Sequence, residues 1–436
     1  MPDELPSELQ DTLSAAGYAK VLVELQPAAT PGPAAAATAA VASAAVLQSA
    51  LAQYFIVPGE QQIASLAVAA RALSGRRTAR ATGRAQPPPV RVFPKLGIAL
   101  GYVSPTTVAS LRADARVRRV HLAPQPRLIR PVAVRAAKPR VTPTWGIKRL
   151  KIPQLWSQGI KGKGVRVAHL DTGVDASHPA LKNAIAVFAQ FDLLGNQVPN
   201  ATPSDSGEHG THTAGTIVGR SGTKGAFGMA PEAELASAMV IEGGQVIDRI
   251  VGGMEWALNQ NVRILSMSLG LPGFTTAFEA AINGLRRNNV LPVIAVGNEF
   301  AMSSRSPGNY DTVLSIGAMN RNDEVADFSS SQTFDRPVDP LVPDIVAPGV
   351  GVLSCVPNRG FAEMDGTSMA TPHVAGLAAL LASAKPDASA ADLEAAILAS
   401  CTRPGTMPQA RANRGVPDAT AALAHLTGGA EAALVA

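Results

Sequence analysis

Three residues of the types that perform nucleophilic catalysis stand far apart along the chain. Asp171 follows a short apolar run, His209 opens a helical pattern, and Ser368 lies where a glycine-containing loop meets another helical pattern. Each residue taken alone is most often structural, as a turn residue, a buried histidine or a helix cap. Together they supply a hydroxyl nucleophile, an imidazole that takes up its proton, and a carboxylate that orients the imidazole.

The sequence runs around these three residues indicate which kind of enzyme would use them. Between about Trp145 and Leu381 the chain contains, in order, LDTGVDASHPAL, HGTHTAGT, SMSLG, VGNE and GTSMATPHVAGLAALL. These runs, and the order Asp, His, Ser, resemble the subtilisin-like (S8) serine proteases. The resemblance implies a serine endopeptidase for peptide or protein substrates. Ser368 would form the acyl-enzyme, His209 would be the general base, and Asp171 would orient the histidine.

The same resemblance implies how substrate and transition state are bound. Asn298, in the run GNE, matches the asparagine of the oxyanion hole, where an amide donor stabilises the charge of the tetrahedral intermediate. Taken alone, it would be a turn residue after a strand. His212, the second histidine of HGTH, is expected to be structural, and Glu299 to favour a basic substrate side chain weakly. Extended substrates are expected to bind along two segments, made of Ser268, Leu269, Gly270 and of Ala295, Val296, Gly297.

Composition and periodicity predict the fold that positions these residues. Hydrophobic residues make up 46% of the 436 residues and charged residues 16%, which supports a large packed core and excludes global disorder. Strand-like runs alternate with helical patterns, which predicts a parallel sheet covered on both faces. The resemblance makes this α/β region a subtilisin-like, three-layer αβα domain with a mainly parallel sheet. The strand-like runs are 164–170, 262–267, 291–296, 313–317 and 344–347, and the helical patterns are 209–219, 245–260, 275–288 and 368–384.

A second domain is predicted before the protease domain of residues 144–436. Residues 1–123 read as β-α-β-β-α-β, which is typical of a small α+β ferredoxin-like fold. A basic loop interrupts it at 58–89. Residues 124–143 are rich in Pro, Arg and Ala without apolar periodicity and are predicted to be an exposed linker and processing region. The strands of this first domain are predicted at 19–26, 90–93, 98–103 and 117–122, and its helices at 33–55 and from Pro105.

Charge is divided unequally between the two regions. Residues 1–140 contain 17 Lys and Arg against 7 Asp and Glu, whereas the remainder contains 21 against 26. Opposite net charges favour docking of the two parts. The resemblance implies a zymogen whose N-terminal domain, as a propeptide, assists folding, occupies the cleft with its C-terminal strand, and is removed by autoprocessing within 130–143. A latent or partner-regulated protein whose N-terminal domain is a binding module is the alternative. The scattered arginines lack a nucleic-acid motif, so no nucleic-acid partner is expected.

No metal or other cofactor is expected. Many subtilisins bind calcium through an aspartate in the run S-H-P-D-L, but here Ala180 stands at that position. The loop at 220–225 has two positive charges and no carboxylate or amide side chain, whereas calcium requires several oxygen ligands. The two cysteines, Cys355 and Cys401, indicate no disulfide framework.

The chain is predicted to be cytoplasmic, without a membrane partner. The run MPDELPSELQDTL is acidic and lacks the basic and then apolar pattern of a signal peptide. The alanine-rich stretch at 33–51 contains Thr, Ser and Gln and is weakly hydrophobic, so a soluble helix is expected there.

Overall fold

The computed structural model describes residues 5–26, 36–57, 89–139, 142–192, 194–220, 226–241 and 246–428. Nearly all of the predicted basic loop at 58–89 therefore lies outside the described residues. The same holds for positions 221–225 of the loop at 220–225, which is predicted to lack calcium ligands. Among the described residues, no helix combines the length and apolar composition that crossing a bilayer requires.

Parallel strands form the central sheet, and residues at alternate positions enter two separate cores. Val167, Ile264 and Val293 pack on one face, whereas their neighbours on the same strands pack on the other. Burial on both faces explains why these strands are continuous apolar runs. The predicted α/β class is confirmed. In sheet order the strands are Ile345–Pro348, Leu314–Met319, Leu291–Ala295, Ile264–Met267, Arg166–Asp171, Glu234–Met239 and Ile185–Gln190.

Helices cover both faces of this sheet. The long buried helix Thr367–Ala384 packs on one face, and Val246–Leu258 with Glu279–Arg287 pack on the other. The remaining helices of the first face are Trp145–Arg149, Ile152–Ser157, His209–Val218, Ala390–Ala399, Gln409–Ala412 and Ala419–Thr427. Two 3₁₀ turns lie at Pro179–Leu181 and Thr276–Phe278.

The N-terminal region forms an antiparallel sheet with its own core. Its strands lie in the spatial order Val90–Phe93, Ile98–Val103, Ala19–Leu25, Val117–Leu122. Among the described residues of this region, the helices are Ser7–Ala16, Ala36–Ala52 and Pro105–Arg112, of which the first was not predicted. The ferredoxin-like assignment and the boundary at residue 123 stay predictions, because residues 58–88 lie outside the description.

Smaller sheets frame the edge of the large one. Leu269–Pro272 lies between Arg305–Ser306 and Arg127–Leu128, and Gly360–Asp365 lies between Val352–Val356 and Ala133–Ala136. Gln332–Thr333 pairs with Leu341–Val342.

Two of these short strands correct the prediction of an exposed linker at 124–143. Arg127–Leu128 and Ala133–Ala136 are both paired with the protease region. Ile129, which directly follows the first of these strands, is only 1% exposed. Strand pairing uses main-chain groups, so a segment can dock without the apolar periodicity that sequence patterns detect. We call residues 127–136 the cleft segment.

Candidate active site

The three predicted triad residues come from the ends of three elements. Asp171 is the last residue of a central strand, His209 the first residue of a helix, and Ser368 the second residue of another helix. All three are buried, and the two helices pack against each other. The Nδ1 atom of His209 lies 2.7 Å from Oδ1 of Asp171. The structure therefore joins Asp171 to His209 and packs the helix of His209 against the helix of Ser368.

A glycine permits this close assembly. A Cβ atom added to Gly210 would lie 2.0 Å from the carbonyl oxygen of Gly173, in the turn that follows Asp171. Any larger residue would push the start of the helix, and His209 with it, away from the carboxylate. The glycine after His209 is thus required by the close approach of two backbones.

Asp171 is held as a carboxylate by its neighbours. Its Oδ1 accepts hydrogen bonds from His209 Nδ1 and from the backbone N–H of Thr172 at 2.7 Å, and its Oδ2 accepts one from the Thr213 hydroxyl at 3.1 Å. Burial opposes ionisation, but the His209 imidazole and these hydrogen bonds together hold the pKa of Asp171 below its usual value. Nδ1 of His209 therefore carries a proton, which leaves Nε2 as the basic nitrogen.

The basic nitrogen of His209 is not engaged. Nε2 is buried and has no hydrogen-bond partner in the part of the chain that is described. The hydroxyl of Ser368 instead donates to the carbonyl oxygen of Ile129 at 2.6 Å. A serine hydroxyl and an imidazole nitrogen that can accept a proton are thus both present, while the serine proton is directed to the cleft segment.

Asn298 presents an oriented amide donor beside Ser368. Its Oδ1 accepts two hydrogen bonds from Thr367, from the backbone N–H and the hydroxyl, each at 2.9 Å. This fixes the direction of the amide, whose Nδ2 donates to the carbonyl oxygen of Arg130 at 2.9 Å. Gly297, which precedes it, has φ +122°, a conformation that disfavours any side chain.

The predicted substrate-binding strand is already paired. Leu269 and Gly270 face Leu128 and Arg127 of the cleft segment in an antiparallel register, and the N–H of Ile129 donates to the carbonyl of Ser268 at 3.0 Å. Ala295, Val296 and Gly297 are buried next to Asn298. The cleft segment therefore takes the place expected of an extended peptide.

Comparison with known proteins agrees with this geometry. A family model described as the subtilase family matches residues 162–420, more than half of the chain. The chain belongs to the subtilase family. The major intracellular serine protease of Bacillus subtilis (strain 168) is 39% identical over 247 residues, 55% of this chain and 74% of that relative. Subtilisin BL and subtilisin Savinase, both of Lederbergia lenta, are 40% and 39% identical over 245 residues, 56% of this chain and 85% of each relative. This subtilase is a serine endopeptidase.

Glu299 in this subtilase is ion-paired. Its Oε1 accepts from Nη2 and Nε of Arg305 at 2.6 and 2.9 Å, and Nη1 of Arg305 donates to the carbonyl of Gly270 at 3.2 Å. The expected attraction of Glu299 for a basic substrate side chain is therefore offset by a cation of the protein itself. Sequence reasoning missed Arg305, because a single arginine in a two-residue strand carries no local signal.

The second histidine of the HGTH run lies away from Asp171. Nε2 of His212 donates to the carbonyl of Val352 at 3.0 Å and contacts that of Ala362 at 3.2 Å. Burial lowers the pKa of His212 to about 3, with the charge of His209 acting in the same direction. His212 is thus a neutral group that ties its helix to the small sheet beside the cleft.

Metal ligands are not gathered anywhere in the described ranges, where no three His, Cys, Asp or Glu side chains are placed to hold an ion. The calcium prediction rested partly on residues 221–225, which lie outside those ranges. Cys355 and Cys401 are both free thiols.

Proposed function

We propose that this subtilase cleaves peptide bonds through Asp171, His209, Ser368 and Asn298, and that it is made as a precursor inhibited by its own N-terminal region. The hydrogen bond from the Ser368 hydroxyl to Ile129 carries the proposal of inhibition. It joins the nucleophile to a main-chain carbonyl of the same chain.

The chemistry follows from the four side chains. Ser368 Oγ attacks the scissile carbonyl carbon while His209 Nε2 takes its proton, and Asp171 stabilises the imidazolium through Nδ1–H. The carbonyl oxygen becomes an oxyanion that Asn298 Nδ2 stabilises. The imidazolium then gives its proton to the leaving amine, and water releases the acyl group by the same route. The N-terminus of the helix at Ser368 adds a favourable dipole.

The cleft segment resists this attack because its carbonyl groups are out of register. A cleavable bond must present its oxygen to Asn298 and its carbon to Ser368. Here the carbonyl of Ile129 accepts the serine proton, and the carbonyl of the next residue, Arg130, takes the asparagine donor. The segment binds like a substrate, but one peptide unit separates the nucleophile from the oxyanion donor.

Contacts outside the cleft support an inhibitory role for the whole N-terminal region. Lys20 forms a buried ion pair with Asp248 of the protease region. Glu255 accepts hydrogen bonds from the backbone N–H groups of Lys95 and Leu96, both at 3.2 Å. Leu96 and other apolar residues of the N-terminal sheet share a continuous core with the helices of the protease region. Such a buried, mixed interface favours tight docking.

The substrate pocket favours an aliphatic side chain before the scissile bond. Ile129 is buried at this position, and Arg305 spans from Gly270 to Glu299, the two sides between which a longer side chain would extend. Peptides with Ile should therefore be cleaved faster than peptides with Phe or Lys at this position. Arg305→Ala should raise kcat/KM for the Phe peptide about tenfold, on the scale of one pocket contact. An unchanged Ile/Phe ratio in the variant would contradict this assignment.

Expression of wild type and Ser368→Ala tests the function. We expect wild type to shorten within 130–143 and to react with a fluorophosphonate probe, and the variant to do neither. Wild type that neither shortens nor reacts would refute the self-processing precursor. Labelling of the Ser368→Ala chain would show that another residue is the nucleophile.

We also propose a cytoplasmic location. A relative at 39% identity bears the name major intracellular serine protease. Fractionation of the source cells, with the chain followed by antibody, tests the location, and recovery outside the cytoplasm would contradict it.

A further inference from the structure

A further histidine, His169, lies near the carboxylate of Asp171 on the side away from His209. His169 precedes Asp171 by two residues on the same strand, so both side chains project from the same face. It is 1% exposed. Its Nε2 lies 2.9 Å from the hydroxyl of Thr213 and 3.8 Å from Oδ2 of Asp171, and its Nδ1 lies 3.0 Å from the hydroxyl of Ser237. The proposed mechanism gives neither His169 nor Ser237 a role.

The hydrogen atoms available decide the direction of these contacts. Thr213 has one hydroxyl proton, and Oδ2 of Asp171 is an acceptor within reach of it, at 3.1 Å. If Nε2 of His169 were an acceptor, it would compete for that proton, and Oδ2 would have no other donor among the hydrogen bonds of the described residues. A buried carboxylate oxygen without a donor is costly.

If Nε2 of His169 is instead the donor, every polar atom of this group has a hydrogen-bond partner. Nε2–H of His169 donates to Thr213, whose proton then points to Asp171, while Ser237 donates to Nδ1. The other acceptors near the Thr213 hydroxyl are the carbonyls of His209 and Gly210 in the first turn of the same helix. Those carbonyls already accept backbone N–H groups of the helix, so they need the hydroxyl proton less than Oδ2 does.

We propose that His169 is a positioning residue for Asp171: its Nε2–H directs the Thr213 hydroxyl onto Oδ2, so that Oδ1 stays aimed at His209. The inference rests on the proposed role of Asp171 in catalysis. It adds a directional chain, Ser237 to His169 to Thr213 to Asp171, that ends on the carboxylate.

The electrostatic surroundings suit a neutral imidazole. Burial lowers the pKa of His169, against the opposing influence of Asp171 and Asp205, while His209 lowers it further. Within the described part of the chain, these are the titratable groups that influence the ring, and its direct partners Thr213 and Ser237 are neutral. His169 therefore acts as a fixed donor and acceptor rather than as a charge.

The tautomer can be tested without any activity. The chain has seven histidines, so ¹⁵N-histidine labelling of the full-length Ser368→Ala chain gives few signals, and those absent from an added His169→Gln variant belong to His169. We expect the correlation pattern of the Nε2–H tautomer, unchanged between pH 5 and 9. A pattern of the Nδ1–H tautomer, or titration within that range, would overturn the proposal even if the enzyme proved active.

The pH profile tests the consequence for catalysis. Thr213→Val keeps the shape of the side chain but removes the hydroxyl, and Thr213→Ser is its matched control. Loss of a donor to the carboxylate strengthens proton binding by the Asp171–His209 pair. The acid limb of kcat/KM should therefore rise by about one pH unit in the Val variant, with kcat down about tenfold and KM unchanged. His169→Val should change the acid limb and kcat in the same way as Thr213→Val. Thr213→Ser and His169→Gln keep a hydrogen-bond donor, so their kcat and acid limb should be much closer to those of wild type.

A lower thermal midpoint with an unmoved acid limb would show that the cluster is only structural, and would overturn the proposal. If His169→Val does not fold, the Thr213 pair decides the matter. Wild type without activity would count against the proposed function, whereas the tautomer measurement would still decide the placement of the proton.

Discussion

Removal of the side chain of Ile129 should open the active site of the intact chain. This side chain is only 1% exposed, and its backbone carbonyl accepts the proton of Ser368. Ile129→Ala keeps every backbone hydrogen bond of the cleft segment and removes the buried apolar contact. The substitution therefore separates the contribution of the pocket contact from that of strand pairing.

The size of the effect follows from burial. Truncation of a buried isoleucine to alanine costs about 2 kcal/mol at the lower end of the usual range. In the proposed precursor the segment must leave the cleft before Ser368 can react, so this cost falls on the closed state alone. A change of about 2 kcal/mol raises the open fraction about 30-fold.

The rate of fluorophosphonate labelling measures that open fraction, because the probe reacts only with an accessible Ser368. Labelling should be followed on freshly purified chain, with mass spectrometry to show that residues 124–143 are uncut. Val132→Ala is the matched control, since this aliphatic residue lies in the same segment but is 54% exposed. Its labelling rate should stay within about twofold of wild type.

Equal labelling rates for Ile129→Ala and Val132→Ala in intact chains would refute the reasoning. The reasoning would also be refuted if the probe labelled Ser368 in the intact wild type as fast as in a chain from which the N-terminal region has been removed. Either result would mean that the cleft segment does not limit access to Ser368.

Three further predictions address the oxyanion donor, the domain interface and a buried carboxyl. Asn298→Ala should lower kcat about 10²–10³-fold with little change in KM in steady-state peptide assays, as loss of this donor does in subtilisin. A rise in KM of similar size would instead indicate a role in substrate binding. Lys20→Met and Asp248→Asn should each speed Ser368 labelling at least about tenfold, and additive effects in the double variant would contradict the ion pair. Burial raises the pKa of Asp344 to about 7, despite the hydrogen bond from Ser315. Because the native state keeps a proton that the unfolded state loses near pH 4, this group lowers stability as pH rises from about 4 to 7. Asp344→Asn should therefore be more stable relative to wild type at pH 8 than at pH 5 in urea unfolding, and an equal difference at both would refute this.

The sequence predicted those parts of the site that depend on local runs. Asp171, His209 and Ser368 each lie in a short motif, and the structure holds Asp171 against His209 and the helix of His209 against that of Ser368. Five strands of the central sheet were predicted within a few residues for a similar reason, since burial on both faces makes them apolar throughout.

The elements that were missed have weak or long-range signals. The strand Glu234–Met239 reads ELASAM, with small residues whose burial comes from neighbours on both sides. The strand Ile185–Gln190 contains a register shift, which breaks simple alternation. Arg127–Leu128 docks through its main chain onto Leu269–Gly270, and residues so far apart in sequence share no short window. Glu299 and Arg305 are close in sequence, but nothing in their local pattern marks them as an ion pair.

In the precursor that we propose, the closed state contains an energetic cost that bears on its activation. His209 Nε2 is buried without a partner in the described chain, while the Ser368 proton is given to Ile129. An unsatisfied buried nitrogen costs about 1–3 kcal/mol. The pairing of the cleft segment, the burial of Ile129 and the docking of the N-terminal sheet must therefore offset this cost. Departure of the segment frees Ser368 to donate to Nε2, so the catalytic hydrogen bond itself favours the open form. In the precursor that we propose, inhibition is thus opposed by the interaction that the active enzyme needs, and any weakening of the distant interface is expected to appear directly as exposure of Ser368.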